Sequence, residues 1–162
     1  MAEDAAPASA VSLTWLGQAG FLIEWGGLGI AIDPYLSDSL ARKYRGTRFP
    51  HKRMVPPPVS PAGLTGIDYV ICTHGHSDHM DPGTLPGAAA ASPGCRFICP
   101  GSEKGKALER GVPEGRFIGM DAGTGLTLGG QAGGSTASGR TVLLTALASA
   151  HEELSVDEAG RH

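Results

Sequence analysis

The segment Ile67-Asp68-Tyr69-Val70-Ile71-Cys72 is β-branched and aromatic, and it breaks off at the polar run Thr73-His74-Gly75-His76-Ser77-Asp78-His79-Met80-Asp81. A short apolar run of that composition reads as a buried strand. The fold must therefore set a strand end and a histidine-rich loop side by side. Three of the six histidines fall within the six residues from His74 to His79. Imidazole and carboxylate together suit zinc, manganese or iron, and Gly75 permits a turn in which neighbouring side chains converge. His74 and His76 can chelate one divalent ion from alternate positions, while Asp78 and His79 point to a second centre beside it. The competing reading is a solvated loop with incidental histidines. It suits a lone histidine better than four potential ligands directly after a buried strand.

The flanking sequence predicts layered α/β structure. Val11–Trp15 and Phe21–Trp25 alternate as strands around the turn-like Gly17-Gln18-Ala19-Gly20, and Gly26-Gly27 turns into a third strand, Leu28–Ile32, ending at Asp33-Pro34. From 34 to 66 the prolines Pro50, Pro56, Pro57, Pro58 and Pro61 rule out a long regular element. Beyond the histidines, Asp81 and Thr84 are candidate caps for a short helix in Leu85–Ser92. Cys95–Cys99 reads as a strand, and Ser102–Arg110 as a helix closed by Gly111. The stretch from Asp121 to Gly139 suggests hairpin turns or a low-complexity loop, before a last strand over Thr141–Leu147.

Composition narrows the functional classes. The net charge of −3 gives no overall bias towards nucleic acid or membranes, and no apolar run approaches the length of a transmembrane helix. The N-terminus lacks the basic and apolar regions of a signal peptide, so a cytoplasmic location is expected, with residues 1–10 a disordered tail. The three cysteines, Cys72, Cys95 and Cys99, form no secreted-type disulfide framework. Cys95 and Cys99 are read as small buried hydrophobes in preference to a metal pair.

The pattern His74-x-His76-x-Asp78-His79 after a strand resembles the signature of the metallo-β-lactamase-fold hydrolases. Thr14–Gly27, Ile32–Ser39, Arg53-Met54 before the proline-rich stretch, Ile98–Phe117 and Ala146–Glu153 extend the similarity. They look like the branch containing the L-ascorbate-6-phosphate lactonase-like proteins. The resemblance implies an αββα sandwich, of which residues 11–162 would be the N-terminal part. It also implies hydrolysis of an ester, lactone or phosphate ester by water that the metal activates. It assigns His74, His76 and His151 to one metal and Asp78 and His79 to the other. Asp78 would also orient the attacking water, and Asp33 would anchor the metal loop, although Asp33-Pro34 reads equally as a turn-forming pair. Glu152 is read as an outer or solvated group rather than a catalytic one.

Two features complicate that picture. The family's downstream aspartate motif and final histidine find no match here, which implies a truncated member whose uncovered apolar sheet face would favour self-association. The alternative function is accordingly a catalytically impaired metal-binding half-domain or interaction module. The other feature is the basic run Arg42, Lys43, Arg45, Arg48, His51, Lys52 and Arg53. It could take the phosphate of a phosphorylated small-molecule substrate, with Arg48 and Arg53 the chosen candidates, or it could be a solvated loop. The negative net charge and the lack of an aromatic stacking series speak against nucleic acid.

Overall fold

A computed structural model of the chain describes residues 10–129 and 141–148. Most of the expected N-terminal tail, and both His151 and Glu152, lie outside them. Strands β1 (Val11–Gly17), β2 (Gly20–Trp25) and β3 (Leu28–Ile32) form an antiparallel meander. Gly26 and Gly27 make the β2–β3 turn with φ of 55° and 84°, the left-handed pair that a two-residue hairpin needs. The chain then leaves the sheet through α1 (Ser39–Lys43) and returns as β4 (Tyr69–Ile71). After it come α2 (Leu85–Ala91), β5 (Arg96–Pro100), α3 (Lys104–Glu109) and β6 (Phe117–Met120). The six strands lie in chain order, and β3 to β6 run parallel. Strands β7 (Gly125–Gly129) and β8 (Thr141–Thr145) pair separately.

Side-chain alternation splits the apolar residues between the two sheet faces. Ala31, Val70, Phe97 and Cys99 point to the helical side, where they pack with Leu85, Ala88 and Ala107 of α2 and α3. Ile30, Tyr69 and Ile98 point to the other side, against Leu126 and Leu128 of β7 and Val142 and Leu144 of β8. The Tyr69 hydroxyl, 3.0 Å from the Gly129 carbonyl, ties the small sheet to the large one. The second face is therefore covered over its parallel half, contrary to the expectation of a bare sheet. What stays open lies on edge strand β1, where Val11, Leu13 and Trp15 are at least half exposed.

Several local expectations are revised. The loop after Asp33 contains α1, a five-residue helix too short to show against the surrounding prolines. Strands β6 and β7 arise where glycines interrupt the apolar pattern. Thr84 precedes α2 but does not cap it; its hydroxyl accepts the Leu36 N–H at 2.9 Å and donates to Asp81. Helix α3 closes as expected, with Gly111 at φ 91° and the Gly111 and Val112 N–H groups folded back onto the Leu108 and Ala107 carbonyls. No helix among the described residues is long and apolar enough to cross a membrane.

Candidate metal centre

The histidine loop leaves β4 at the end of the sheet where parallel strands open, the usual place for ligands in such sheets. The hydrogen bonding of β4 reaches beyond its three residues, since the Asp68 N–H bonds the Gly29 carbonyl and the Cys72 N–H bonds the Ile98 carbonyl. Thr73 is thereby fixed at the mouth of the sheet beside the end of β3. There Asp33, 3% exposed, adopts φ 43°, a left-handed conformation that aspartate tolerates better than most residues.

The Asp33 carboxylate organises the loop. Oδ1 accepts the Thr73 N–H at 2.7 Å, and Oδ2 accepts both the Thr73 hydroxyl at 2.7 Å and His79 Nδ1 at 2.8 Å. An ionised carboxylate cannot donate, so Nδ1 of His79 carries the proton. Nε2 of the same ring faces Asp78 Oδ2 at 3.8 Å. The His74 ring lies 3.9 Å from the His79 ring and 4.6 Å from the His76 ring, centroid to centroid. The structure thus brings His74, His76, Asp78 and His79 together and sets Asp33 beneath them. Among the described residues no three histidine, cysteine, aspartate or glutamate groups are gathered closely enough to form a metal-holding set as they stand.

The electrostatics differ from ring to ring. The hydrogen bond that His79 donates to Asp33, helped by the charges of Asp33 and Asp78, raises the His79 pKa above the ordinary 6.5 despite partial burial. Burial, with the neighbouring His79 and His76, lowers that of His74. In donor chemistry the group fits a divalent ion, because imidazole nitrogens and a carboxylate sit together and a carboxylate fixes one histidine's tautomer from behind, as metal-ligating histidines usually require. The cysteines are placed differently. All three are free and buried in the helical-side core, and burial pushes the Cys95 thiol up to about 12. They pack as small hydrophobes.

His74 and His76 open onto a cavity of about 350 Å³, whose other walls include Ile71, Ile98, Met120 and Leu144 and, on the polar side, Ser102, Glu103 and Lys106. Glu103 and Lys106 were not legible in the sequence as site residues, since they look like an ordinary solvated helix face. Lys106 Nζ lies 2.6 Å from Glu103 Oε2, and the Glu103 carboxylate occupies the space that a side chain on Gly75 would fill.

The basic loop forms a separate hollow of about 740 Å³, lined by Arg42, Arg45, Lys52 and Arg53 with Asp38, that shares no residue with the histidine cavity. Arg53 is committed to the loop itself. Its guanidinium bonds the Tyr35 and Ser37 carbonyls, stacks 4.4 Å from the Tyr35 ring centre and pairs with Asp38 at 3.5 Å. Arg48 is exposed and lies over the Phe49 ring at 5.3 Å.

A mixed sheet with a histidine and aspartate loop at the mouth of its parallel strands defines a metallohydrolase-like α/β domain. The family model described as "Beta-lactamase superfamily domain" matches residues 12–154, and the chain belongs to that family. A UPF0173 metal-dependent hydrolase of Aeropyrum pernix is 34% identical over 53% of this chain and 28% of its own length. A second, from Anaeromyxobacter sp. (strain K), is 30% identical over 98% of this chain and 49% of its own. The chain thus spans about half the length, or less, of these curated relatives. Among solved structures, the metallo hydrolase Igni18 of Ignicoccus hospitalis shares the fold, with a TM-score of 0.50 at 20% identity over 83% of this chain and 56% of that one.

Proposed function

We propose that this chain carries the metal-binding part of a metal-dependent hydrolase acting on an ester, lactone or phosphate-ester bond. The observation that carries the reading is the Asp33 carboxylate bonded at once to Thr73 and His79 beneath the clustered histidine rings. The relatives' description as metal-dependent hydrolases supports it.

His74 and His76, joined by His151, would hold one ion, and Asp78 and His79 the other; zinc, manganese and iron all suit these donors. An ion so held supplies Lewis acidity and lowers the pKa of water towards about 7. The residues of the chain do the rest. Asp33 keeps Nε2 of His79 available by holding the proton on Nδ1. Asp78, partly exposed beside His79, can accept a hydrogen bond from the attacking water and so orient it. The apolar wall of Ile71, Ile98, Met120 and Leu144 excludes bulk water from one side of the cavity and would receive the apolar part of a substrate.

A narrower reading, a phosphorylated sugar lactone as substrate, draws on the basic run. Because Arg53 is tied to backbone carbonyls, Arg42, Arg45 and Lys52 are the better-placed partners for a phosphate in that hollow.

Hydrolysis assays on lactone, carboxylic ester and phosphodiester panels test the proposal, using the full chain after metal removal and again after adding zinc or manganese. Turnover of at least one class is expected to appear with metal and to fall by about 10³-fold or more in Asp78→Ala, a loss of the size typical for a positioning base. Turnover unaffected by metal removal, or intact in Asp78→Ala, would overturn it.

A further inference from the structure

We propose that Arg110 is a positioning residue for the histidine loop, which sets the loop's geometry for metal rather than the stability of the fold; the proposal rests on the metal-centre reading above. Its Nη1 donates to the Gly75 carbonyl and to the Met80 carbonyl, each at 2.9 Å. Gly75 lies between His74 and His76, and Met80 directly follows His79. One guanidinium nitrogen therefore fixes the separation of the two ends of the span that presents His76, Asp78 and His79. Inside that span the backbone makes one short turn, with the His79 and Met80 N–H groups on the His76 carbonyl. A single turn of this kind is weak on its own, because fixing several residues yields few hydrogen bonds.

The base from which Arg110 reaches is rigid. Its own N–H bonds the Lys106 carbonyl, and the helix end around it is closed onto Ala107 and Val112, both buried in the core. The same segment grips Gly75 again, since the Glu103 carboxylate, held by Lys106, packs over its Cα. Arginine suits the position chemically, as it stays protonated and offers several donors in fixed directions. Here its partners are neutral carbonyls, so the cation leaves the carboxylates of Asp33 and Asp78 to the histidines.

Arg116 provides a matched control. It donates to the Ala89, Ser92 and Pro93 carbonyls and so ties down the end of α2, with no bond to the histidine loop. The test is a cobalt(II) titration of the full chain followed by visible absorption, with a thermal melt of the metal-free protein, for wild type, Arg110→Gln, Arg110→Lys and Arg116→Gln. Arg110→Gln is expected to weaken cobalt binding about 10-fold or more, as loss of an outer support typically does. Arg110→Lys should recover part of it, and Arg116→Gln should lower the melting temperature without changing cobalt affinity. Wild-type affinity in Arg110→Gln, or an equal loss in Arg116→Gln, overturns the proposal. Should Arg110→Gln fail to fold, Arg110→Lys decides alone: weaker binding at a near-normal melting temperature supports the role, and unchanged binding overturns it. A wild-type chain that takes up no cobalt overturns the metal-centre reading itself, a different outcome from a variant that matches a binding wild type.

Discussion

Replacing Asp81 by alanine is expected to cost about 3 kcal/mol, at the upper end of what a single substitution usually removes. Asp81 is fully buried. Its two oxygens accept the Ser37 and Ser39 hydroxyls at 2.9 and 2.8 Å, the Thr84 hydroxyl at 2.5 Å, and the Ser37 and Gly83 N–H groups at 3.2 and 3.0 Å. Truncation strands the buried Thr84 hydroxyl, at a cost of roughly 1–3 kcal/mol. It also takes the charged acceptor from the half-buried Ser37 and Ser39 and from the exposed Gly83 N–H, where water can replace part of what is lost. The interactions join the chain at Ser37–Ser39 to the segment directly after the histidine loop, so the loop's exit should loosen as well. In a domain of ordinary stability, about 5–15 kcal/mol, the melting temperature should fall by roughly 10 °C. A melt within about 2 °C of wild type would show that water or a shifted loop takes over the five contacts.

Asp33→Asn is expected to weaken metal binding about 10–100-fold, the range typical for the partner behind a metal-ligating histidine, while leaving the fold intact. Asparagine tolerates the left-handed backbone at this position, where alanine would add about 1–2 kcal/mol of strain. Its amide has one oxygen and one NH₂. With the oxygen kept on the Thr73 N–H, the NH₂ faces His79 Nδ1, which must then accept. The proton moves to Nε2, the nitrogen nearest Asp78, and that nitrogen can no longer ligate. The metal-free protein offers an independent check. Asp33 raises the His79 pKa above 6.5, so the protonated pair contributes stability that is fully present below pH 6.5 and lost as pH rises through the raised value. In Asp33→Asn the His79 ring should titrate lower by NMR, and the extra stability at acidic pH should shrink. An unchanged His79 titration together with unchanged metal affinity would remove Asp33 from the site.

How far the sequence foretold this structure depends on how local the causes are. Strands β1 to β3 were legible because Leu13, Ile23 and Ile30 alternate with residues of the opposite face and because Gly26-Gly27 readily takes the left-handed conformations of a tight hairpin turn. The histidine loop was legible because its ligands are neighbours in the chain. Strand β7 was hidden because Leu126 and Leu128 alone carry its alternation amid glycines and threonines, and the covering of the second face was missed along with it. Glu103, Lys106 and Arg110 act on the loop from the turn before α3, from α3 itself and from its C-terminal end, some thirty residues away in sequence. No periodicity distinguishes them from solvated helix residues. Asp81, expected as a helix cap, instead joins two loops across more than forty residues, a role that only tertiary packing creates.

The central claim, that the clustered histidines hold metal, is tested most directly by elemental analysis of the purified chain after metal loading and exhaustive dialysis, alongside the double variant His74→Ala, His76→Ala. The wild type is expected to retain a divalent transition metal and the folded double variant to lose it. A wild-type chain that retains none, or a double variant that retains as much, would contradict the claim.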